Sequence, residues 1–325
     1  MLNKFVTEKV VNDLNNHPLV FEGANGSLGL SFLKVLKELD ISPKVLLLTT
    51  HSSDLENEWI SCNFNIEFIK SSHENFFSRR KKLINSFGKG VNVFFASGYG
   101  RPNMFLDDPI GVIDANIKSL ISYSDFNINK FAYFSTSELY SGLNGEVSED
   151  VTLPTSPQHP RGIYIESKRL GEAIVSNLIS KNATRVASYR IALATPPRLL
   201  NNNHRVLADL ITSAKENNKV ILNGGQKLLR QYQYGPNAIY KILGSISNGT
   251  SNLYNNAGSH ILTLGELAKL IGKVFNVDVE IKENIQDSSS PKVVNINSER
   301  INSESGYLLD KEEDFFSYLN RIVNA

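Results

Sequence analysis

Two short stretches of this 325-residue chain hold residue types that can do chemistry together: Phe134-Ser135-Thr136-Ser137-Glu138-Leu139-Tyr140 and Tyr164-Ile165-Glu166-Ser167-Lys168. On a helix, Tyr164 and Lys168 stand one turn apart on the same face, where an ammonium can lie near the phenol and favour its phenolate. That neighbour matters, since an unperturbed tyrosine loses its proton only near pH ~10. With such help Tyr164 becomes a general base for an alcohol, and Thr136 supplies a hydroxyl to hold the oxygen being deprotonated. Tyr-x-x-x-Lys is a common spacing on solvated helix faces, so its meaning depends on the elements that bring the two stretches together.

Residues 18–21 read as a short buried strand, followed directly by Gly23-Ala24-Asn25-Gly26-Ser27-Leu28-Gly29 and a helix with Leu30, Leu33, Leu36 and Leu39 along one face. Strand, glycine turn and helix in this order suit a dinucleotide pyrophosphate. The glycines permit a tight turn and close backbone approach, and the helix N-terminus offers free N–H groups. Gly23, Asn25, Gly26, Ser27, Leu28 and Gly29 are the expected cradle, although the spacing is G-x-x-G-x-x-G rather than G-x-G-x-x-G. Residues 44–48 form a second strand, at whose end NAD-binding folds usually carry an acidic residue for the ribose hydroxyls. Thr49, Thr50 and His51 stand there instead, leaving NAD and NADP both open. His51 is either a partner for a 2′-phosphate or an ordinary loop histidine.

Residues 66–69 and 91–96 read as further buried strands. The second leads through Ala96, Ser97 and Gly98 into Tyr99-Gly100, a loop able to lie along a cofactor. Residues 109–126 are helical with Asn116 inside, and residues 130–134 form a strand that delivers Thr136 at its carboxyl end, where open parallel sheets place ligand sites. The Tyr164 helix runs past Glu172 to Leu178, and residues 185–191 return as a strand. Alternating strands and helices argue for an α/β fold, a Rossmann-type doubly wound parallel sheet. Leu2, Phe5, Val6, Val10 and Leu14 give an amphipathic helix ahead of it. From Ala194 onwards the elements shorten and the loops lengthen: Pro196-Pro197, the Asn201-Asn202-Asn203 loop, helices at 206–216 and 264–275, and the biased loop at 287–291. Residues 1–192 are read as the dinucleotide-binding domain with a return segment near 232–256, and residues 193–325 mainly as a smaller substrate-binding lobe.

Composition narrows the class. A net charge of +1 with no basic run gives no sign of a nucleic-acid or anionic-membrane partner. Cys62 is the single cysteine, which excludes an intrachain disulfide and a thiolate metal cluster; no metal site is expected. The first residues lack an apolar leader core, and no run approaches the ~18 apolar residues of a membrane span, so a cytoplasmic protein is expected.

Taken jointly, the glycine turn, Asn116, the Thr136 strand end, Tyr164-x-x-x-Lys168 with Glu172 after it, Arg198, Arg230 within Leu229-Arg230-Gln231-Tyr232-Gln233-Tyr234, and Tyr254-Asn255-Asn256-Ala257-Gly258 give a chain that resembles the extended short-chain dehydrogenase/reductases. These are the NAD(P)-dependent nucleotide-sugar epimerases, dehydratases and decarboxylases. The Ser137-Glu138 pair and the run Pro160-Arg161-Gly162-Ile163-Tyr164 look most like UDP-glucuronate decarboxylases. The resemblance implies oxidation of a nucleotide-linked sugar at C4 to a 4-keto intermediate, followed by decarboxylation of a uronic acid or by 4-epimerisation. It implies catalytic roles for Thr136, Glu138, Tyr164, Lys168 and Arg230, cofactor contacts from Asn116, Tyr164 and Lys168, and a homodimer.

Reduction of a 4-keto sugar is an alternative. So is 4,6-dehydration, although dehydratases carry an Asp-Glu pair where Ser137-Glu138 stands. A cofactor-binding scaffold without turnover is the alternative from another class. Leu193 and Thr195-Pro196-Pro197 replace a substrate-contacting Asn and an aromatic-Gly-Pro turn, and Pro236-Asn237 replaces an acidic pair. The resemblance therefore speaks more for the redox chemistry than for nucleotide recognition. Arg161 reads as a solvated arginine at a helix start, with a substrate carboxylate as its other possible partner.

Overall fold

The structure, a computed structural model, describes residues 1–49, 56–60, 64–70, 74–98, 106–200, 206–282, 294–311 and 315–324. Thr50, His51, Cys62, Tyr99, Gly100, the Asn201-Asn202-Asn203 loop and the 287–291 loop lie outside these residues.

Seven parallel strands form the central sheet: β1 (Leu19–Glu22), β2 (Lys44–Thr49), β3 (Asn65–Lys70), β4 (Val91–Phe95), β5 (Ile128–Thr136), β7 (Ala183–Ile191) and β11 (Leu253–Asn256). Their spatial order is β11-β7-β5-β4-β1-β2-β3, a Rossmann-like arrangement whose strand order reverses between β1 and β4. That reversal opens a crevice at the carboxyl ends of the two strands, the place where such sheets bind ligands.

The pleat sends alternate residues to opposite faces, and each face has its own core. Phe21, Phe94, Phe134 and Tyr189 point into one core, filled by the helices Lys4–Asn16, Ser27–Glu38 and Gly235–Asn248. Val20, Val93, Phe95, Phe131 and Tyr133 point into the other, against the helices Phe76–Ser86 and Gly162–Asn177 and the segment from Pro109 to Asp125. Apolar residues on both faces of a strand are what a doubly covered sheet requires, which is why β1, β4 and β5 were readable as buried.

β3 departs from that expectation. It is an edge strand with no pairing partner on its outer side among the described residues, and its burial alternates, with only Ile69 fully inside. The N-terminal helix also differs from its predicted face: Val6, Val10 and Leu14 are buried, but Phe5 is exposed, with the Lys9 ammonium 4.3 Å from its ring. Asn3 caps the helix by accepting a hydrogen bond from Val6 N–H at 2.9 Å. Its start is fastened to a segment 300 residues later, by the Leu2–Tyr307 bridge and by hydrogen bonds from Asn3 N–H to Gly306 C=O and from Leu308 N–H to Met1 C=O.

Beyond β7, a third core gathers Leu210, Ile211, Val220, Leu222, Leu267 and Ile271 with Tyr232, Phe315 and Tyr318. It lies around a three-stranded sheet in the order β12 (His260–Thr263), β10 (Leu229–Tyr234), β8 (Leu193–Thr195), and a pair made of β9 (Lys219–Leu222) and β13 (Asp278–Ile281). A further short pair, β6 (Gly145–Val147) with β14 (Val294–Ile296), ties the loop after β5 to the C-terminal part of the chain.

Candidate active site

The site begins with the glycine turn. Gly23 has φ +84°, and a Cβ there would lie 2.8 Å from the Ala96 carbonyl oxygen, so the turn after β1 needs glycine both for its backbone and for its contact with the loop after β4. Gly29 has no room either: a Cβ would meet the Ala24 carbonyl oxygen at 2.0 Å. Gly26 is the N-cap of the Ser27–Glu38 helix and makes no side-chain cap bond, and the first helical turn carries no acidic residue. Its N–H groups and the positive end of the helix dipole are thus available to an anion. Both polar atoms of the Asn25 side chain are buried without a hydrogen-bond partner among the described residues. A buried amide left this way is costly unless something else supplies donor and acceptor. The cradle that needs glycine and the unpaired Asn25 amide both suit a dinucleotide. Ser27 and Leu28 lie in the first turn, with Leu28 packed against the core. Thr49 ends β2.

Across the crevice, Ser97 is buried and Gly98 has φ +138°. A Cβ on Gly98 would lie 2.1 Å from Asn116 Oδ1 and 3.3 Å from Lys168 Nζ, so the absence of a side chain lets three elements converge. Asn116 is fully buried and sits in a π-helical turn, Asp114–Lys118, inside the helical segment that begins at Pro109. Such turns often mark functional positions because they re-aim a side chain. Asn116 Nδ2 donates to Ser167 Oγ at 2.8 Å, and Ser167 Oγ donates in turn to the Tyr164 carbonyl at 2.8 Å. Ser167 escaped the sequence reading even though it lies inside the Tyr164–Lys168 interval.

Tyr164 and Lys168 are both buried on the Gly162–Asn177 helix. Lys168 Nζ donates to the Phe134 carbonyl at 3.0 Å and to the Ser97 carbonyl at 3.4 Å, joining its helix to β5 and to the loop after β4. Burial pushes its pKa down to about 8, with Glu172 one turn further on working in the opposite direction. Glu172 is held by three donors: Ser135 Oγ at 2.7 Å, Arg190 Nε at 3.0 Å and Arg190 Nη2 at 2.9 Å. Arg190 Nη1 also reaches the Tyr140 hydroxyl at 3.0 Å. Ser135, Tyr140 and Arg190 thereby brace the floor beneath Lys168.

Thr136 ends β5, and its Oγ1 accepts from Glu138 N–H at 3.2 Å, which leaves the hydroxyl proton for another acceptor. Glu138 Oε1 lies 2.9 Å from Arg161 Nη1. Arg161 is only 8% exposed, which corrects its reading as a solvated helix-start residue. A carboxylate 23 positions upstream draws it in, a pairing that local spacing could not reveal. Arg230 stands on β10 of the second lobe, half-buried, with Nη1 donating to the Leu229 carbonyl at 2.7 Å. The strand ends and the helix therefore gather Thr136, Glu138, Tyr164 and Lys168, while Arg230 belongs to a separate sheet. Arg198 is half-exposed and pairs with Glu58.

Residues 20–255 match the model of the NAD dependent epimerase/dehydratase family. The chain belongs to this family. Its members are NAD-dependent nucleotide-sugar enzymes, and the residues at the crevice fit the cofactor that the family name carries. Among curated proteins, this chain is 25% identical over 150 residues to UDP-glucuronic acid decarboxylase 1 of Xenopus tropicalis, covering 45% of this chain and 35% of that protein. It is 23% identical over 202 residues to the Arabidopsis thaliana protein of the same name, covering 60% and 46%. The matched stretches thus span less than half of either relative. Two solved structures share the fold. The UDP-glucuronic acid 4-epimerase from Bacillus cereus, in complex with UDP-glucuronic acid and NAD, is 16% identical with a TM-score of 0.76, covering 94% of this chain and 99% of that one. The dTDP-glucose 4,6-dehydratase from Bacillus anthracis, in complex with NAD, is 19% identical with a TM-score of 0.72, covering 95% and 96%.

Proposed function

We propose that this epimerase/dehydratase oxidises a nucleotide-linked sugar at C4 and that its substrate is a uronic acid which it decarboxylates. The observation that carries the reading is the residue pair after Thr136: Ser137-Glu138, with Glu138 tied to the buried Arg161, stands where a dehydratase would need two acids. The curated relatives, both UDP-glucuronic acid decarboxylases, support the same substrate class.

In this reading Tyr164 accepts the proton of the sugar 4-hydroxyl, and Thr136 donates its hydroxyl hydrogen to the same oxygen. Bound NAD supplies the acceptor for the C4 hydride and later returns it. Lys168, held by the Phe134 and Ser97 carbonyls one helical turn from Tyr164, is the cation that would favour the phenolate. A carboxylate on C5 is now β to a ketone. The bond from C5 to the carboxylate breaks, carbon dioxide leaves, and the electron pair passes to the ketone oxygen as an enolate that Thr136 and Tyr164 stabilise by hydrogen bonding. C5 then takes a proton from water as the electron pair returns from the enolate oxygen, and Tyr164 gives its proton back to O4 as the alcohol is restored. Arg230, on β10 of the second lobe, is proposed as a further catalytic position.

We assign the working form as a homodimer. Ile110, Ile113 and Ile121 on one helical segment and Ile163 and Leu170 on the neighbouring helix are exposed large apolar side chains that a second copy would cover.

The protein incubated with NAD and separately with UDP-glucuronate, UDP-glucose and dTDP-glucose, followed by mass spectrometry, tests the reaction. Loss of carbon dioxide from UDP-glucuronate is the expected result. An isobaric product resolved by chromatography would replace decarboxylation by 4-epimerisation, and loss of water would mean dehydration. Tight NAD binding with no turnover of any of them would refute the enzyme reading in favour of a scaffold.

A further inference from the structure

Glu138 and Arg161 come from the two stretches that build the site, and their contact links them. Glu138 lies two residues after Thr136, in the 3-10 turn Ser137–Tyr140 that follows β5. Arg161 is the N-cap of the Gly162–Asn177 helix, three residues before Tyr164. Oε1 of the glutamate meets Nη1 of the arginine at 2.9 Å, and the arginine side chain is 9% exposed. The other carboxylate oxygen, Oε2, is buried and accepts no hydrogen bond among the described residues.

That asymmetry is informative. A carboxylate offers about four lone-pair sites, and a buried oxygen with no donor is unfavourable unless a donor arrives from outside. A glutamate also has three side-chain torsions, so an unrestrained one would sample many positions for Oε2. Gripping Oε1 removes that freedom and holds Oε2 in one place, and the Glu138 N–H itself bonds to Thr136 Oγ1, the residue whose own hydroxyl proton is uncommitted. A sugar hydroxyl is a donor of the right kind for that oxygen.

We infer that Arg161 is a positioning residue: it holds Glu138 so that Oε2 receives a hydrogen bond from a hydroxyl of the bound sugar while Thr136 and Tyr164 engage the 4-oxygen. The inference rests on the reading of Thr136 and Tyr164 as the proton-handling pair, and it holds for whichever sugar is turned over. It gives Arg161 no contact with the substrate. Its effect on turnover passes through Glu138.

Arg161→Gln, Arg161→Lys, Glu138→Gln and the double variant Arg161→Gln/Glu138→Gln test it. With the sugar that the wild type converts, Arg161→Gln and Glu138→Gln should each lower kcat/KM by ~100-fold, while NAD affinity stays near wild type. The double variant should be no worse than Glu138→Gln, because residues acting as one unit are not additive. Arg161→Lys should recover part of the loss. Multiplying losses in the double variant, or unchanged turnover in Glu138→Gln, would overturn the inference. A crystal structure of NAD-loaded Arg161→Gln reads the same point without any sugar: the Glu138 carboxylate should leave its wild-type position, and an unmoved carboxylate refutes the positioning role. If no nucleotide sugar is converted by the wild type, the functional reading fails and the crystallographic result still decides this one. Should Arg161→Gln not fold, the crystal structure of Arg161→Met takes its place, with the same displacement expected and the same outcome refuting it.

Discussion

Replacing Lys168 with methionine should make the cofactor-free protein more stable at neutral pH while destroying turnover. Lys168 is fully enclosed, and burial brings its pKa from 10.5 to about 8. A shift of that size corresponds to roughly 3 kcal/mol by which the folded state disfavours the ammonium relative to the unfolded chain. Methionine has a similar volume and no charge, so it removes that penalty. It also removes the hydrogen bonds to the Phe134 and Ser97 carbonyls, a loss of about 1 kcal/mol. The net expected gain for Lys168→Met at pH 7 is about 2 kcal/mol. The sign follows from proton binding. Below pH 8 the lysine is protonated in both states and the penalty is complete. Between pH 8 and 10.5 the folded state has shed the proton that the unfolded chain keeps, so wild-type stability rises with pH; above 10.5 both forms are neutral. The advantage of methionine should therefore shrink by about 1 kcal/mol between pH 7 and pH 9. Urea denaturation at the two pH values measures both quantities. A methionine variant less stable than wild type at pH 7, or a gap that does not narrow by pH 9, would refute the view that Lys168 is kept against a desolvation cost for the sake of the chemistry.

Three other outcomes follow from the geometry. Gly29→Ala places a methyl 2.0 Å from the Ala24 carbonyl oxygen and should destabilise the glycine turn by about 1–3 kcal/mol and weaken NAD binding, both readable by denaturation and by cofactor titration. Arg80→Met leaves the Glu22 carboxylate buried without its cation; Glu22 would retain its bonds from Tyr123 and Ser119, at 2.7 and 3.1 Å, and the expected loss is about 3–5 kcal/mol in chemical denaturation. Ile110→Asp together with Ile113→Asp should convert a dimer to a monomer in sedimentation, with the far-ultraviolet circular dichroism unchanged.

The parts of the molecule that were legible in the sequence are those governed by local periodicity. Apolar runs at residues 91–95 and 130–134, the glycine turn between a strand and a helix, and the 264–275 helix each depend on neighbours within a turn or a pleat. β3 was legible as a strand and not as an edge, because exposure of one side depends on what fails to pair with it. The π-helical turn at Asn116 left no mark, since it is one extra residue in an otherwise helical register. Arg161 was misjudged and the Glu22–Arg80 pair unseen for a common reason: each partner lies 23 or 58 positions away, and long-range charge pairing has no period. The bonds from Ser135 and Arg190 that hold Glu172 were hidden in the same way.

The fastening of Met1, Leu2 and Asn3 to residues 306–308 has a consequence in time. Val6, Val10 and Leu14 belong to a core that also needs Ile242, Leu243, Ile301 and Tyr307. A ribosome adding roughly 5–20 residues per second delivers those last partners roughly 15–60 s after the first. Throughout that interval the amphipathic N-terminal helix has no permanent place to lie. This helix is thus among the last elements to settle, because part of the core that receives it is made some 300 residues after it.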